Sequence, residues 1–247
     1  MPGQSQAPIP RARISISTHW TELRLAAQAS SARLDARAAF ETFCRRYWGA
    51  VYGVIRARYP EPLARDLTQE FFLTRIIEGD SLPQLRPELG RFRAWLYRTL
   101  RHFLIDKWKQ RTTRKRDERL QTAFDEQRTA APELSVDEYE RHYAHAIAER
   151  AFRALHESWS PRLQRHGANI DQPTLISWLI DRDARVLTGA LGISNDNARQ
   201  TLHRLHVDLW KQLRAVVAET LEDERDLTNE LREVCRILHL TPPDEPA

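Results

Sequence analysis

The sequence is poor in the residues that build turns, disulfides and metal sites. Its 247 residues include 8 glycines, 13 prolines and 2 cysteines. So little glycine argues against a many-turned β-sandwich and against a dinucleotide-binding domain with glycine-rich phosphate loops. Cys44 and Cys235 are too few for a disulfide framework or a cysteine-based zinc site, and they favour a reducing, cytoplasmic location.

Long apolar runs are also lacking. No stretch of about 18 apolar residues occurs, so we expect no membrane span. The N-terminal residues have no apolar core of the kind that a secretory signal needs, so we do not expect secretion. Hydrophobic residues still make up 41% of the chain, which is enough to bury a core.

Charge is unevenly distributed along the chain. The net charge is only +4, but residues 91–119 carry 11 basic and 3 acidic residues. Residues 219–233 have the opposite balance, with 2 basic and 7 acidic residues. A basic helix and an acidic tail are therefore predicted, and the basic helix favours a polyanionic partner.

Apolar residues recur with the period of an α-helix along most of the chain. A first stripe has the spacing i, i+3, i+4, i+7, i+8, i+11 and i+15 and consists of Phe40, Phe43, Cys44, Tyr47, Trp48, Val51 and Ile55. Further helices are predicted over about 63–77, from 91 onward, from 136 to a break at Ser160-Pro161, and over 173–180, 183–191 and 195–213. A weaker period continues over 215–239.

The helices fall into two groups. Between Arg111 and Glu133 the only large apolar residues are Leu120 and Phe124, which predicts a linker. The predicted fold is all-α: two small helical domains joined by a flexible linker, the second a helix–turn–helix domain. The predicted segments are an N-terminal extension (1–34), a first domain (35–116), the linker (117–135), a second domain (136–214) and an acidic C-terminal extension (215–247).

The basic helix interleaves cations with aromatic residues. Arginine and lysine neutralise phosphates, and aromatic rings stack on unpaired bases. Such a helix suits a nucleic acid whose strands are being separated. The alternative is a solvated charged face over an aromatic core, and part of the aromatic set must serve the core.

A helix–turn–helix is predicted over 183–213. Gly192 follows a short amphipathic helix, and Ser194 is a good N-cap for the next one. The polar face of that second helix carries amides and cations that read base edges in a major groove. An ordinary helical hairpin with a polar outer face would show the same pattern.

Two other patterns contain residue types that can catalyse reactions or bind metals. Asp66, Gln69 and Glu70 share a polar helix face, for which a protein-contact surface or plain solvation is favoured over catalysis. The pairs His142/His145 and His203/His206 have a spacing that permits metal binding, but nine histidines make such pairs common by chance. No catalytic residue, metal or cofactor is predicted.

At these motifs the chain resembles the extracytoplasmic-function (ECF) sigma factors, the small promoter-recognition subunits of bacterial RNA polymerase. The likeness covers about residues 18–235. Gly90-Arg-Phe-Arg93 and Thr18-His-Trp20 are similar to a longer subgroup with an N-terminal extension. The resemblance implies a sigma region 2-like domain over 35–116 and a region 4-like domain over 136–214.

The resemblance also implies roles for individual residues. Those implied to bind core polymerase are Asp66, Leu67, Gln69, Glu70 and Phe72. Those implied to bind or melt the −10 element are Trp95, Arg98, Arg101, His102, Asp106, Trp108 and Lys109. Those implied to read the −35 element are Ser194, Asn197, Arg199, Gln200, His203 and Arg204.

The expected partners are core RNA polymerase and promoter DNA, and an anti-sigma factor is left open as a further partner. A sigma factor catalyses nothing itself, because bond formation belongs to the polymerase. One alternative is a helix–turn–helix regulator that binds duplex DNA without polymerase. Another is a helical scaffold, or a sigma-like protein that binds polymerase but reads no promoter. A metal nuclease lacks a credible ligand set.

Overall fold

The computed structural model describes residues 34–77, 92–119, 133–221 and 224–240. The predicted N-terminal extension, the loop expected over 79–90 and most of the predicted linker lie outside these ranges. The described residues are helical apart from turns and short connections, and contain no strand. The all-α prediction is therefore confirmed.

Eight α-helices follow one another along the described chain. They are α1 (Leu34–Arg56), α2 (Glu61–Phe71), α3 (Phe92–Arg119), α4 (Val136–Gln164), α5 (Gln172–Asp181), α6 (Ala184–Leu191), α7 (Asn195–Ala218) and α8 (Leu227–Leu238). A π-helical turn, Phe72–Ile77, extends α2, and a 3₁₀ turn, Glu224–Asp226, precedes α8.

The helices of the second half start at side-chain caps. The side-chain oxygens of Ser135, Asp171, Asp183 and Ser194 each accept a hydrogen bond from a backbone N–H in the first turn that follows. Such a bond satisfies one of the donors that a helix N-terminus leaves unpaired. The predicted starts of α5, α6 and α7 lie within one residue of the observed ones, whereas α7 continues five residues beyond its predicted end at 213.

Helix α4 does not stop at Ser160-Pro161, as the sequence predicted, but continues to Gln164. Proline this far into a helix removes one backbone hydrogen bond and crowds the preceding turn, so the continuation needs a compensating interaction. Trp159 and Leu163 flank Pro161 and are both buried, so the packing of the final turn outweighs the lost hydrogen bond.

Helix α4 is the centre of the molecule and packs against α1, α7 and α8. The approach to α1 is close because small residues meet there. A Cβ added at Gly49 would lie 3.1 Å from the Ala146 Cβ, and one added at Gly53 would lie 2.8 Å from His142 Nδ1. One continuous hydrophobic core therefore runs from α1 and α3 through α4 into α7 and α8.

The end of the predicted linker is fixed to this core. Leu134 is 1% exposed, and its carbonyl accepts a hydrogen bond of 2.9 Å from the Tyr97 hydroxyl on α3. Arg58, just after α1, donates to both carboxylate oxygens of Glu138 on α4 at 2.6 Å. The two halves are thus joined by polar contacts as well as by apolar packing.

Candidate nucleic-acid interface

An exposed cationic stripe runs along the outer side of α3. Arg98, Arg101, His102 and Lys109 are all exposed and recur at helical spacing. None of the three cations among them forms an ion pair with a described residue. Because no ion pair within the described chain neutralises their charge, the stripe has the chemistry that a polyanion would need.

Three other cations of α3 have partners within the described chain. Arg93 forms ion pairs with Glu140 and Glu230, and Lys107 with Glu70. The Arg111 guanidinium lies 4.8 Å from the centre of the Tyr59 ring. The uniform basic helix expected from the sequence is therefore divided into an outward-facing stripe and a set of internal contacts.

The aromatic residues of α3 divide in the same way. Phe103 is buried, and Trp95 and Tyr97 are half-buried against the hydrophobic core. Trp108 is half-buried but does not belong to that core. Of the two tryptophans predicted to meet DNA, Trp95 packs against the core, whereas Trp108 lies outside it.

Asp106 faces the π-helical turn. Its carboxylate accepts a hydrogen bond of 2.6 Å from Arg75, whose guanidinium lies 6.0 Å from the Phe103 ring. Lys107 Nζ lies 5.5 Å from the centre of the same ring. Asp106 thus holds α3 against the π-helical turn, and π-helical turns occur frequently at functional sites.

The predicted polymerase-binding motif on α2 is only partly exposed. Asp66 and Gln69 are exposed and Glu70 is half-buried. Leu67 and Phe72, by contrast, are 5% and 3% exposed, and the Phe72 ring stacks on Trp48 with centres 5.6 Å apart. The apolar members of the motif therefore anchor the helix and offer little surface to a partner.

Sequence reasoning missed an apolar residue on this face. Leu73 is 47% exposed and follows Asp66 at i+7, Gln69 at i+4 and Glu70 at i+3. The spacing was present in the sequence. Leu73 was not assigned to this face because it follows Phe71 and Phe72 in a run of apolar residues. Beside this face, Trp48, Tyr52, Arg65 and Gln69 line an open groove of about 350 Å³.

The segment predicted to form a helix–turn–helix comprises α6, α7 and the turn between them. Gly192 adopts φ 63° and ψ 30°, and its N–H bonds to the Thr188 carbonyl. The Ser194 hydroxyl accepts a hydrogen bond of 3.3 Å from the Asn197 N–H and so caps α7. The left-handed glycine and the cap together fix the angle at which α7 leaves the turn.

The outer face of α7 is exposed to solvent. Asn197, Arg199, Gln200, His203 and Arg204 are exposed. Arg199 and Arg204 form no ion pair within the described chain. Behind this face Ala198, Leu202, Leu205 and Leu209 are buried. The amphipathic division predicted for this helix is therefore present, with amides and cations on one side.

A comparison with protein-family models found a match in the first half of the chain. Residues 43–114 match the model of sigma-70 region 2. The match begins in α1, includes α2 and the π-helical turn, and ends in α3 at the end of the cationic stripe. It supports a sigma-70 family factor, with a role for this region in RNA polymerase binding and promoter melting.

The region 2 match does not extend to the helix–turn–helix. No curated protein and no solved structure matches the chain. Sigma-70 factors are non-enzymatic initiation factors. Within the described ranges, no cluster of three or more histidine, cysteine or acidic residues could hold a metal ion. None of the helices in those ranges is both long and apolar enough to cross a bilayer.

Proposed function

We propose that the chain is a sigma factor of the ECF type that directs core RNA polymerase to promoters with −10 and −35 elements and helps to open them. The match of residues 43–114 to sigma-70 region 2 carries the proposal. The exposed stripe on α3 lies within that match, and its unneutralised cations suit a DNA strand. The cytoplasm is the proposed location, and the N-terminal extension belongs to the proposed subgroup.

In this proposal the α3 stripe holds the melted −10 strand. Arg98, Arg101 and Lys109 pair with phosphates, and Trp108 stacks on an exposed base, a contact worth about 1–3 kcal/mol. His102 lies between these cations on the same face. Trp95 and Asp106 contribute by holding α3 in position.

The helix–turn–helix is proposed to read the −35 element through α7. Arginine forms bidentate hydrogen bonds with guanine, and asparagine or glutamine with adenine, and each such pair gives about 1–3 kcal/mol of discrimination. Arg199, Arg204, Asn197 and Gln200 are exposed on one face and have this chemistry. His203 and the Ser194 hydroxyl complete the proposed reading surface.

Core polymerase is proposed to bind the α2 face. Exposed Asp66 and Gln69 provide polar contacts, Glu70 lies beside them, and exposed Leu73 provides the apolar one. Leu67 and Phe72 keep the face in place from below. An anti-sigma factor, if one exists, would compete for the same exposed surfaces.

The test is an equilibrium binding measurement with purified core polymerase. We expect Asp66→Arg combined with Gln69→Ala to weaken binding at least tenfold, because both side chains are exposed and their replacement leaves the core intact. Glu157→Arg, which reverses an exposed charge on α4, is the matched control and should bind normally.

Wild-type affinity in a folded Asp66→Arg/Gln69→Ala variant would remove the α2 face from the interface. Sequence-specific binding of duplex DNA by the wild-type chain without polymerase, and no binding to core, would favour a helix–turn–helix regulator instead.

A further inference from the structure

Three side chains of α4 and α7 surround the carboxylate of Asp208. The indole Nε1 of buried Trp159 donates a hydrogen bond of 3.1 Å to Asp208 Oδ2, and Lys211 Nζ donates one of 2.9 Å to Oδ1. Arg162 Nη1 lies 3.7 Å from Oδ2, and its guanidinium lies 5.1 Å from the centre of the Trp159 ring. These four residues, the Asp208 cluster, lie where the end of α4 meets the second half of α7.

The Asp208 cluster keeps a positive charge, because two cations share one carboxylate. The side chains of Arg162 and Lys211 are 56% and 70% exposed, whereas that of Asp208 is 26% exposed. An ion pair at such an exposed site stabilises the fold little, so either cation can exchange part of its contact with Asp208 for a contact with a second anion. The carboxylate itself is held in place by the Trp159 N–H.

Further cations lie beside the cluster and form no ion pair with a described residue. Arg165 follows Arg162 at i+3, and Arg214 follows Lys211 at i+3, so each lies one turn further along the same helix surface. Both are exposed. The excess of positive charge on this surface favours an anionic ligand.

The cluster continues the proposed base-reading face of α7. Asn197, Arg204 and Lys211 follow one another at intervals of seven residues and so lie on nearly the same side of the helix. At a rise of about 1.5 Å per residue, Lys211 lies about 21 Å from Asn197 along α7, and a major groove is only about 12 Å wide. When the first turns of α7 contact bases, its second half therefore reaches the edge of the groove, where the phosphates lie.

We propose that Arg162 and Lys211 form a phosphate clamp, which grips a backbone phosphodiester of the DNA beside the bases that α7 reads. The clamp rests on the proposed sigma function and adds to it a contact from α4, a helix outside the predicted helix–turn–helix. Asp208 is a positioning residue that keeps the two cations side by side, and its negative charge weakens their hold on the phosphate.

The test measures the affinity of wild-type and variant holoenzymes for duplex DNA as a function of salt concentration. One probe is a duplex that the wild-type holoenzyme selects from a random library, and the other is a scrambled duplex. Each phosphate contact contributes about 0.9 to the slope of log affinity against log salt concentration. We expect Arg162→Gln combined with Lys211→Gln to reduce this slope by about 1 and to weaken binding to both duplexes by roughly fivefold.

Arg153→Gln is the matched control and should keep the wild-type affinity and slope. Arg153 lies nine positions before Arg162, on the opposite side of α4. Its side chain is 59% exposed and lies 3.6 Å from Glu149, so it matches Arg162 in exposure and in having an acidic partner.

Neutral methylphosphonates, placed one at a time beside the selected bases, locate the contacted phosphate. At one position the wild-type chain should lose affinity, whereas the double variant should lose none, because its contact is already absent.

Wild-type affinity and slope in the double variant would overturn the clamp. A loss confined to the selected duplex would assign the two cations to base reading, and a loss of core-polymerase affinity alone would assign them to a protein contact. Each of these results also overturns the clamp. Failure of the wild-type chain to bind core polymerase would instead overturn the proposed sigma function, on which the clamp rests.

Asp208→Asn gives a prediction of the opposite sign. The amide oxygen still accepts the Trp159 N–H, but the charge that competes with the phosphate is removed. We expect the affinity for both duplexes to rise by about threefold, with helicity unchanged. A carboxylate that only held α4 to α7 would leave the affinity unchanged or lower it, and either result would rule out this role for Asp208.

Discussion

At the scale of the residue, His142 makes the stability of the contact between α1 and α4 depend on pH. It faces Gly53 across the α1–α4 contact, with Glu138 4.0 Å away on its own helix. Burial lowers the pKa of His142, Arg58, His145 and Arg141 lower it further, and Glu138 acts in the opposite direction. The neutral ring is therefore the form that suits the folded chain.

The sign of the pH dependence follows from this shift. Because the pKa of His142 is lower in the folded chain than in the unfolded chain, the unfolded chain binds more protons as pH falls through about 6.5. We expect the free energy of unfolding to decrease between pH 7.5 and pH 5.5, and this decrease to be smaller in His142→Gln. Denaturant unfolding at both pH values measures it.

Exposed His166→Gln, just after the same helix, is the control for that measurement and should keep the wild-type pH dependence. If His142→Gln lost as much stability as the wild type over this interval, His142 would not be the group responsible.

At the scale of the element, the turn between α6 and α7 depends on the backbone of one glycine. Gly192 has φ 63°, and a Cβ added there would meet no atom within 4 Å. Any cost of a substitution therefore arises from the left-handed conformation and not from a clash. Gly189, three residues earlier inside α6, also has open space around it but has no positive φ.

These two glycines give opposite predictions for the same substitution. Gly192→Ala should lower the free energy of unfolding by about 1–2 kcal/mol, because a left-handed conformation is strained for alanine. Gly189→Ala should raise it by up to about 1 kcal/mol, because alanine is the better helix former. Urea unfolding of both variants checks the pair, and a shift of the same sign in both would contradict this account of the turn.

At the scale of the whole molecule, one core joins the two halves. Apolar residues from α1, α3, α4, α7 and α8 belong to a single cluster, and the α1–α4 contact is its closest point. We expect the chain to unfold in one transition, with helicity and tryptophan fluorescence changing together.

A larger side chain at the α1–α4 contact should separate that transition into two. Gly53→Leu would place its side chain against His142 and force α1 and α4 apart. Gly189→Leu, on an open surface, is the matched control and should leave a single transition. Coincident transitions in a folded Gly53→Leu variant would show that the halves do not depend on this contact.

The sequence by itself determined the all-α class, the Gly192 turn and Ser194 cap between α6 and α7, and the resemblance of the first half to a sigma factor. These features depend on local signals: apolar period, capping oxygens and a glycine where φ is positive. Only the tertiary structure decided which charges of α3 remain exposed, because Arg93 and Lys107 meet their carboxylates on other helices.

Contacts between residues far apart in the sequence also explain why some elements differ from their predictions. Buried Trp159 and Leu163 carry α4 past Pro161, and buried Leu134 fixes the end of the predicted linker. The acidic tail is seated on region 2 because Glu230 finds Arg93, a residue 137 positions away. A contact between residues so far apart leaves no periodic signal in the sequence, since it depends on how the helices pack in three dimensions.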